Sequence, residues 1–422
     1  MAADLRDVPS PLTRLTAYKF LWGLSFAAPV QTLFLLGRGL SFAQIMVLES
    51  VLSAAIMLGE VPTGIVSDRY GRKLSLLCGA ALSLLAWLPF LLADSFALFA
   101  VSFALAGIAF CFGSGSDQAL IYDQLAAEDR SWAMSRVFGR YGAAALAAGG
   151  LAGIAGGVLA TRGYELLYGL TIVSQLAAVA VLLTVPEPRR GAPAQHRPRA
   201  WRQIRGALRL LRTEAELRHV TLLSVFTAPL TVVLAYGWQP YLQSARVPDA
   251  LFGVALGLAS AASVLANLVA HRLEARLGVR RAMTVAILAP ALLWAAMAAT
   301  THPALALGGY VLTQGTAALR GPVFASATNP LIPSRMRATV LSAISLLSAL
   351  WMLLIRPVLG ALVDVDLSLG FAACAVSIMA GWGMCRVAER CSGARRTSTG
   401  RVSRSTRPRT PLATATEPAF SG

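Results

Sequence analysis

The sequence predicts an all-α integral membrane protein, with twelve transmembrane helices in two pseudo-symmetric six-helix halves. Three observations carry that expectation. The 422 residues are 56% hydrophobic and only 14% charged, with a mean hydropathy of +0.63, whereas a soluble domain is roughly 25% charged. The apolar residues fall into runs of about 20, the length that crosses a bilayer as a helix. Between the runs, Arg crowds into alternate loops, as membrane topology requires. This composition excludes a water-soluble globule and a disordered chain.

Taken in order, residues 1–15 are polar and the first apolar run covers about 17–36. It lacks the short core and small-residue cleavage site of a secretory leader, so it is read as the first span. Further spans are expected at about 43–66, 74–93, 96–122, 137–160 and 165–186. A second group follows at about 219–243, 250–271, 281–300, 303–327, 338–363 and 367–388. The first half therefore runs over 1–186, a basic linker over 187–218 and the second half over 219–388, with a tail over 389–422. That tail, rich in Arg, Ser, Thr and Pro, is expected to be disordered. Within the linker, Ile204, Leu208 and Leu211 recur at helical spacing between Trp201 and Leu217. Two readings stand there: an amphipathic helix on the membrane surface and a solvated connection.

Orientation follows from the loops. Arg69, Arg72 and Lys73, then Arg130 and Arg136, the linker cluster from Arg189 to Arg218, Arg272 to Arg281, and Arg335 with Arg337 all share one side. The other side holds Arg38, Arg162 and Arg246 beside Asp94, Asp249, Asp364 and Asp366. Positive loops face the cytoplasm, so both termini are expected inside, in the cell's inner (plasma) membrane, with anionic lipids against the basic loops. The net charge of +17 is nearly all Arg, Lys occurring only at Lys19 and Lys73. Because the Arg residues sit between apolar runs and not on a soluble basic face, a nucleic-acid partner is excluded. Cys78, Cys111, Cys374, Cys385 and Cys391 show no CxxC spacing. The four His (His196, His219, His271, His302) are dispersed. No metal, no other cofactor and no intramembrane enzyme is expected. No phosphate-cradling Gly-x-x-x-x-Gly-Lys-Ser/Thr loop is present either, so any work is driven by a gradient.

A weak internal repeat appears at an offset of 207 residues, carrying Arg69, Gly71, Leu85 and Trp87 to Arg276, Gly278, Leu292 and Trp294. The loop inside it reads Gly64-Ile-Val-Ser-Asp68-Arg69-Tyr70-Gly71-Arg72-Lys73. This resembles the signature loop of the major facilitator superfamily, Gly-x-x-x-Asp-Arg/Lys-x-Gly-Arg-Arg/Lys, and the preceding Glu60-Val61-Pro62-Thr63 is similar to that superfamily as well. The resemblance covers about residues 14–388. It implies a secondary transporter whose halves rock about a central site, with Gly64, Asp68, Arg69, Gly71, Arg72 and Lys73 at a cytoplasmic gate. The second-half counterpart has Ala275 where the first half has Asp68, with Glu274 adjacent. Proton-coupled drug exporters of the superfamily commonly carry an Arg in span 4 and a Pro in span 5; here neither is found.

Ionisable groups inside spans are costly and mark pathways or partners. Asp123 and Arg140 are expected at the gate, with Asp123 partnered by Arg72 or Arg140. Glu60, Asp117, Gln118, Arg320, Glu49 and Trp238 are the candidates for a substrate or proton pathway. Arg320, beside Gly321 and Pro322, has two readings: binding a carboxylate or phosphate of the substrate, or neutralising Asp117 or Glu60. Trp238 and Tyr241 read either as an aromatic outer gate or as an interfacial belt. Arg356 reads as a partner of Asp364 or Asp366. The expected function is transport of a small amphipathic or hydrophobic organic molecule, by efflux coupled to H+, by a monomer. An uptake permease and a non-transporting sensor are the alternatives.

Overall fold

The computed structural model describes residues 10–127, 134–187, 200–227, 230–333 and 336–383, which are helical with no strand among them. Residues 188–199 of the linker, Arg130, Arg335, Cys385, Cys391 and the tail lie outside the described residues. In chain order the first helices are α1 (Ser10–Gly23), α2 (Gln31–Gly37), α3 (Phe42–Tyr70), α4 (Arg72–Leu91), α5 (Phe96–Gly113), α6 (Ser116–Ala127), α7 (Met134–Leu159) and α8 (Tyr164–Leu183). After the linker come α9 (Ala200–Thr213), α10 (Ala215–Thr227), α11 (Leu230–Ser244), α12 (Phe252–Leu277) and α13 (Val279–Ala298). The chain continues through α14 (Pro303–Ala318), α15 (Arg320–Thr328), α16 (Arg337–Val365) and α17 (Leu367–Gly383).

Nine helical stretches among the described residues are long and apolar enough to cross a membrane, taking α1 with α2 and α5 with α6. They match the predicted spans 1–6, 8, 9 and 11. The seventh is described as α10 and α11, with residues 228–229 outside the described residues, the tenth is divided into α14 and α15, and the twelfth is described as α17. Three spans expected from the sequence are thus interrupted, the first, fourth and tenth. The tenth breaks because Pro322 has no N–H to offer the carbonyl of Ala318. The first is interrupted around Pro29 and the fourth at Ser114–Gly115, where an unbroken helix was expected.

The loop repeat is a structural one. Gly71 (φ +117°) and Gly278 (φ +76°) end α3 and α12, in a conformation that costs a side chain but not Gly. Each returns its N–H to the fourth residue back, Ser67 and Glu274 respectively. For reference, the end of the molecule carrying the Arg-rich loops is called the basic end, and the opposite one the far end.

Two seams join helices before the linker to helices after it. In one, α3 runs against α16: the N–H groups of Phe42 and Ala43 donate to the Asp364 carboxylate at 2.6 and 2.8 Å. Gly360 sits against Ala43 and Met46, and Ser50 donates to the carbonyl of Leu353. In the other, α7 runs against α12, with Gly153 and Gly157 on Gly253. The 207-residue offset carries Met46 to Gly253 and Gly153 to Gly360, so one seam repeats the other. A side chain at Gly253 would collide with backbone, its Cβ falling 2.7 Å from Cα of Ile154. Gly253→Leu is therefore expected to cost the roughly 1–3 kcal/mol of an overpacked contact and to lower the melting temperature in detergent. Gly257→Leu, where nothing lies within 4 Å, is the control expected to melt unchanged.

The linker helix α9 forms as its periodicity predicts, but its apolar face meets protein. Ala207 and Leu211 are buried with Leu217, Ile332 and Val340 against α10 and the start of α16, while Leu208 stays exposed. The amphipathic helix forms and the solvated connection does not, with protein covering part of the apolar face.

Candidate functional site

Four spans, three of them interrupted, carry polar side chains at one level. Lys19, Asp117, Ser224 and Arg320 lie eight to ten residues from the basic ends of α1, α6, α10 and α15, about 12–15 Å at the helical rise of 1.5 Å per residue. That is near the middle of a ~30 Å hydrocarbon layer. Irregular backbone is tolerated at that depth only where it is buried in protein or lines a cavity.

In the first half, Lys19 Nζ stands 3.1 Å from an Asp117 carboxylate oxygen, which also accepts from the Tyr141 hydroxyl at 2.9 Å. The ammonium lies over the Tyr141 ring, 5.0 Å from its centroid. Asp117, expected to line a cavity, is thus engaged by Lys19 and Tyr141 at once, whereas Gln118 beside it is exposed. Sequence reasoning passed over Lys19, although one signal was available: it is one of only two Lys in a chain that otherwise uses Arg.

In the second half, Arg320 opens α15 and reaches α10. Nε donates to Thr227 Oγ1 at 3.3 Å, and Nη2 donates to the Ser224 carbonyl and to Ser224 Oγ at 3.2 Å. Its guanidinium lies 5.2 Å from the Phe324 ring centroid. The expected alternative of neutralising Asp117 or Glu60 is not what this structure holds: Asp117 belongs to Lys19, and Arg320 touches neutral oxygens.

A third cluster bridges the seam between α3 and α16. Glu49, 7% exposed, accepts a hydrogen bond from the Tyr236 hydroxyl of α11. Arg356 donates to the Glu49 backbone carbonyl at 2.8 Å and to Ser53 Oγ at 2.5 Å. This replaces the expected pairing of Arg356 with Asp364 or Asp366, because Asp364 caps the first turn of α3 and Asp366 caps that of α17. Beside it, Gln239 of α11 accepts from the N–H of Thr32 and donates to the Ala28 carbonyl, holding α2 to α11. Trp238 is neither a free outer gate nor an interfacial ring. It is 3% exposed and stacked on Tyr310, with centroids 4.8 Å apart.

At the basic end, Asp68 is exposed and pairs with Arg72 at 2.6 Å, four residues on in the same loop. Arg72 also donates to Ser67, so Asp123 is not its partner here. Lys73 donates to the Leu183 carbonyl, Arg69 stacks on Tyr70, and Arg140 is exposed. Glu60 and Gly64 are exposed too, on the α3 stripe that carries Met46, Ser50 and Ser53 toward α16. No group of His, Cys, Asp and Glu suited to a metal occurs among the described residues.

The sequence profile described as Major Facilitator Superfamily matches residues 17–355. The chain belongs to that superfamily. It is accordingly a multi-pass membrane protein, built on the superfamily's all-α fold. A curated relative, the uncharacterized MFS-type transporter YxaM of Bacillus subtilis (strain 168), is 25% identical over 250 residues, 57% of this chain. The match spans 61% of that relative's length. Among solved structures, the nucleoside transporter NupG superposes with a TM-score of 0.75 at 15% identity, covering 90% of this chain and 99% of that one. The POT family transporter PepTSo gives 0.72 at 12% identity, covering 91% and 98%. A bacterial homologue of the iron transporter ferroportin, in an inward-facing state, gives 0.65 at 18% identity, covering 90% and 99%. At these identities the likeness is one of fold.

Proposed function

We propose that this superfamily member is a secondary transporter that moves a small organic molecule by alternating access, two six-helix units (1–186 and 219–388) rocking about a site at the broken spans. One observation carries the reading: both seams between the units close at the far end and part toward the basic end. On α3 the contacts with α16 run from Phe42 to Ser53, whereas Leu58, Val61 and Ile65 are 74%, 71% and 59% exposed and a Cβ on Gly64 would meet nothing within 4 Å. On α7, Gly153 and Gly157 touch α12, whereas Gly142, Gly149 and Gly150 have open space. The α12 residues Leu265 and Leu268, farther toward the basic end, are both 62% exposed. Two seams splayed in the same sense make a cleft open at one end, which is one of the two states that alternating access needs.

The Arg-rich loops make the open end cytoplasmic by the positive-inside rule, in the plasma membrane, with both termini inside. Efflux coupled to H+ belongs to the same proposal. Its support is the pair of mid-depth carboxylates, Glu60 exposed and Asp117 beside Lys19. The transporter acts as a monomer. Purified protein in proteoliposomes is expected to exchange a radiolabelled organic solute across the bilayer, and a pH gradient is expected to drive its accumulation. Saturable binding without counterflow would instead mean a sensor on this scaffold, and exchange indifferent to pH would remove the proton.

A further inference from the structure

The Arg320 site has a property that the other mid-span cations lack. Moving a guanidinium to membrane depth is expensive, and such groups are offset by a carboxylate or another anion. Lys19 has Asp117 at 3.1 Å, and Arg356, although its hydrogen bonds go to the Glu49 carbonyl and Ser53, has the Glu49 carboxylate close enough to interact with its charge. Arg320 has two hydroxyls, a carbonyl and an aromatic ring, none of which carries charge. We infer that Arg320 is the subsite for an anionic group, carboxylate or phosphate, on the transported molecule, and that the substrate is a small organic anion. This rests on the transporter reading above and names the class of solute.

The geometry suits the task. Thr227 holds Nε and Ser224 holds Nη2, which fixes the plane of the guanidinium. Nη1 has no hydrogen-bond partner among the described residues and is not one of the enclosed, unsatisfied nitrogens. A planar fork held from behind, with donors left over, is how Arg takes a carboxylate or phosphate. The place agrees independently. Arg320 begins α15 just after the interruption of span 10, and Ser224 and Thr227, which hold it, lie in the last described turn of α10. Discontinuous helices at mid-depth are where transporters place their substrate groups. The competing use of Arg320 is to meet Glu60, which lies at the same depth on α3, once the cleft closes.

Thermal melting of the purified protein in detergent tests this with benzoate, phenyl phosphate, benzamide and benzylamine as probes. The two anions are expected to raise the melting temperature saturably, and the neutral amide and the amine are not. Arg320→Gln should weaken anion binding about 10–100-fold, the worth of a hydrogen bond to a charged group, and Arg320→Lys should keep part of it. Should Arg320→Gln fail to fold, the comparison of Arg320→Lys with the wild type carries the test. Stabilisation by benzamide equal to that by benzoate, no stabilisation by either anion, or unchanged affinity in the Arg320 variant would overturn the inference. So would full flux in the double variant Arg320→Gln/Glu60→Gln, which would show that Arg320 answers only Glu60. A wild type that exchanges neutral or cationic solutes but no anion overturns this inference and leaves the transporter reading intact. Absence of exchange for every solute overturns the transporter reading itself.

Discussion

Replacing Arg356 by Leu is expected to open the far end of the protein. The Glu49 carboxylate is buried between α3, α11 and α16, and the charged or titratable groups around it are Tyr236 on α11 and Arg356 on α16. Removing the cation leaves a buried acid whose only hydrogen-bond donor is a phenol. The variant loses the field of the cation on the buried acid and two hydrogen bonds from the guanidinium, to the Glu49 carbonyl and Ser53, each bond worth roughly 1.5–3 kcal/mol. Globular proteins absorb such a cost by unfolding, but this one has a cheaper escape: separating α3 from α16 hydrates Glu49. A shift of 3 kcal/mol is a change of more than about 100-fold in the equilibrium between closed and open far ends. In a background without native cysteines, Ser50→Cys should be protected from a membrane-impermeant maleimide, and adding Arg356→Leu should expose it. The double variant Glu49→Gln/Arg356→Leu should restore part of the protection, because an amide beside Tyr236 no longer needs the cation. Continued protection in the single variant would mean that the Gly360 contact and the Asp364 cap close this end unaided.

How much of this was legible beforehand depends on the range of each interaction. Apolar runs of span length and the loop from Gly64 to Lys73 are local in sequence, and they were enough to predict helices, fold and superfamily. The turn at Gly278 was legible because the repeat copies Gly71 onto it. Interruptions were only partly so. Pro322 beside Gly321 announces a break, but Ser114–Gly115 sits within a run whose average hydropathy hides it, and the placement of Pro29 at a bend depends on α2 being held to α11 by Gln239. The pairings were not legible. Lys19 and Asp117 are 98 positions apart and Tyr236 and Glu49 are 187 apart, and no periodicity within one helix says which face of another it meets. Arg356 was assigned to Asp364 because they are close in sequence. In space Asp364 caps the start of α3, and the cation lies two turns deeper, where Glu49 is. The spacing in α9 allows both an apolar face that needs cover and a solvated connection, and the helix that forms has such a face. Whether lipid or protein supplies that cover depends on where α16 begins.

Asp68→Asn is expected to stop transport while leaving the fold intact. In the present state the carboxylate is 66% exposed and paired with Arg72, an arrangement worth little in water, so melting should not change. Its value belongs to the other state. Extending the α3–α16 register from the far end, where Ala43 and Met46 meet Gly360 and Ser50 meets Leu353, brings Gly64 level with Thr339. It brings Asp68 level with the first turn of α16, where Arg337 is now exposed. A carboxylate at a helix N-terminus gains about 0.3–1 kcal/mol, and up to ~2 kcal/mol when partly buried. A charge-assisted bond to Arg337 adds roughly 1.5–3 kcal/mol. Together these stabilise a closed basic end by enough to change its population at least about tenfold, and the amide of Asn loses most of both. Flux in proteoliposomes should therefore fall at least about tenfold. Cross-linking of Gly64→Cys to Thr339→Cys, a measure of the closed basic end, should fall with it. The exchange Asp68→Arg/Arg337→Asp separates the two contributions: it recovers the pair but places a cation near the helix N-terminus, so it should restore cross-linking only in part. Normal flux by Asp68→Asn would mean that closure of the basic end rests on the apolar stripe from Leu58 to Ile65 alone.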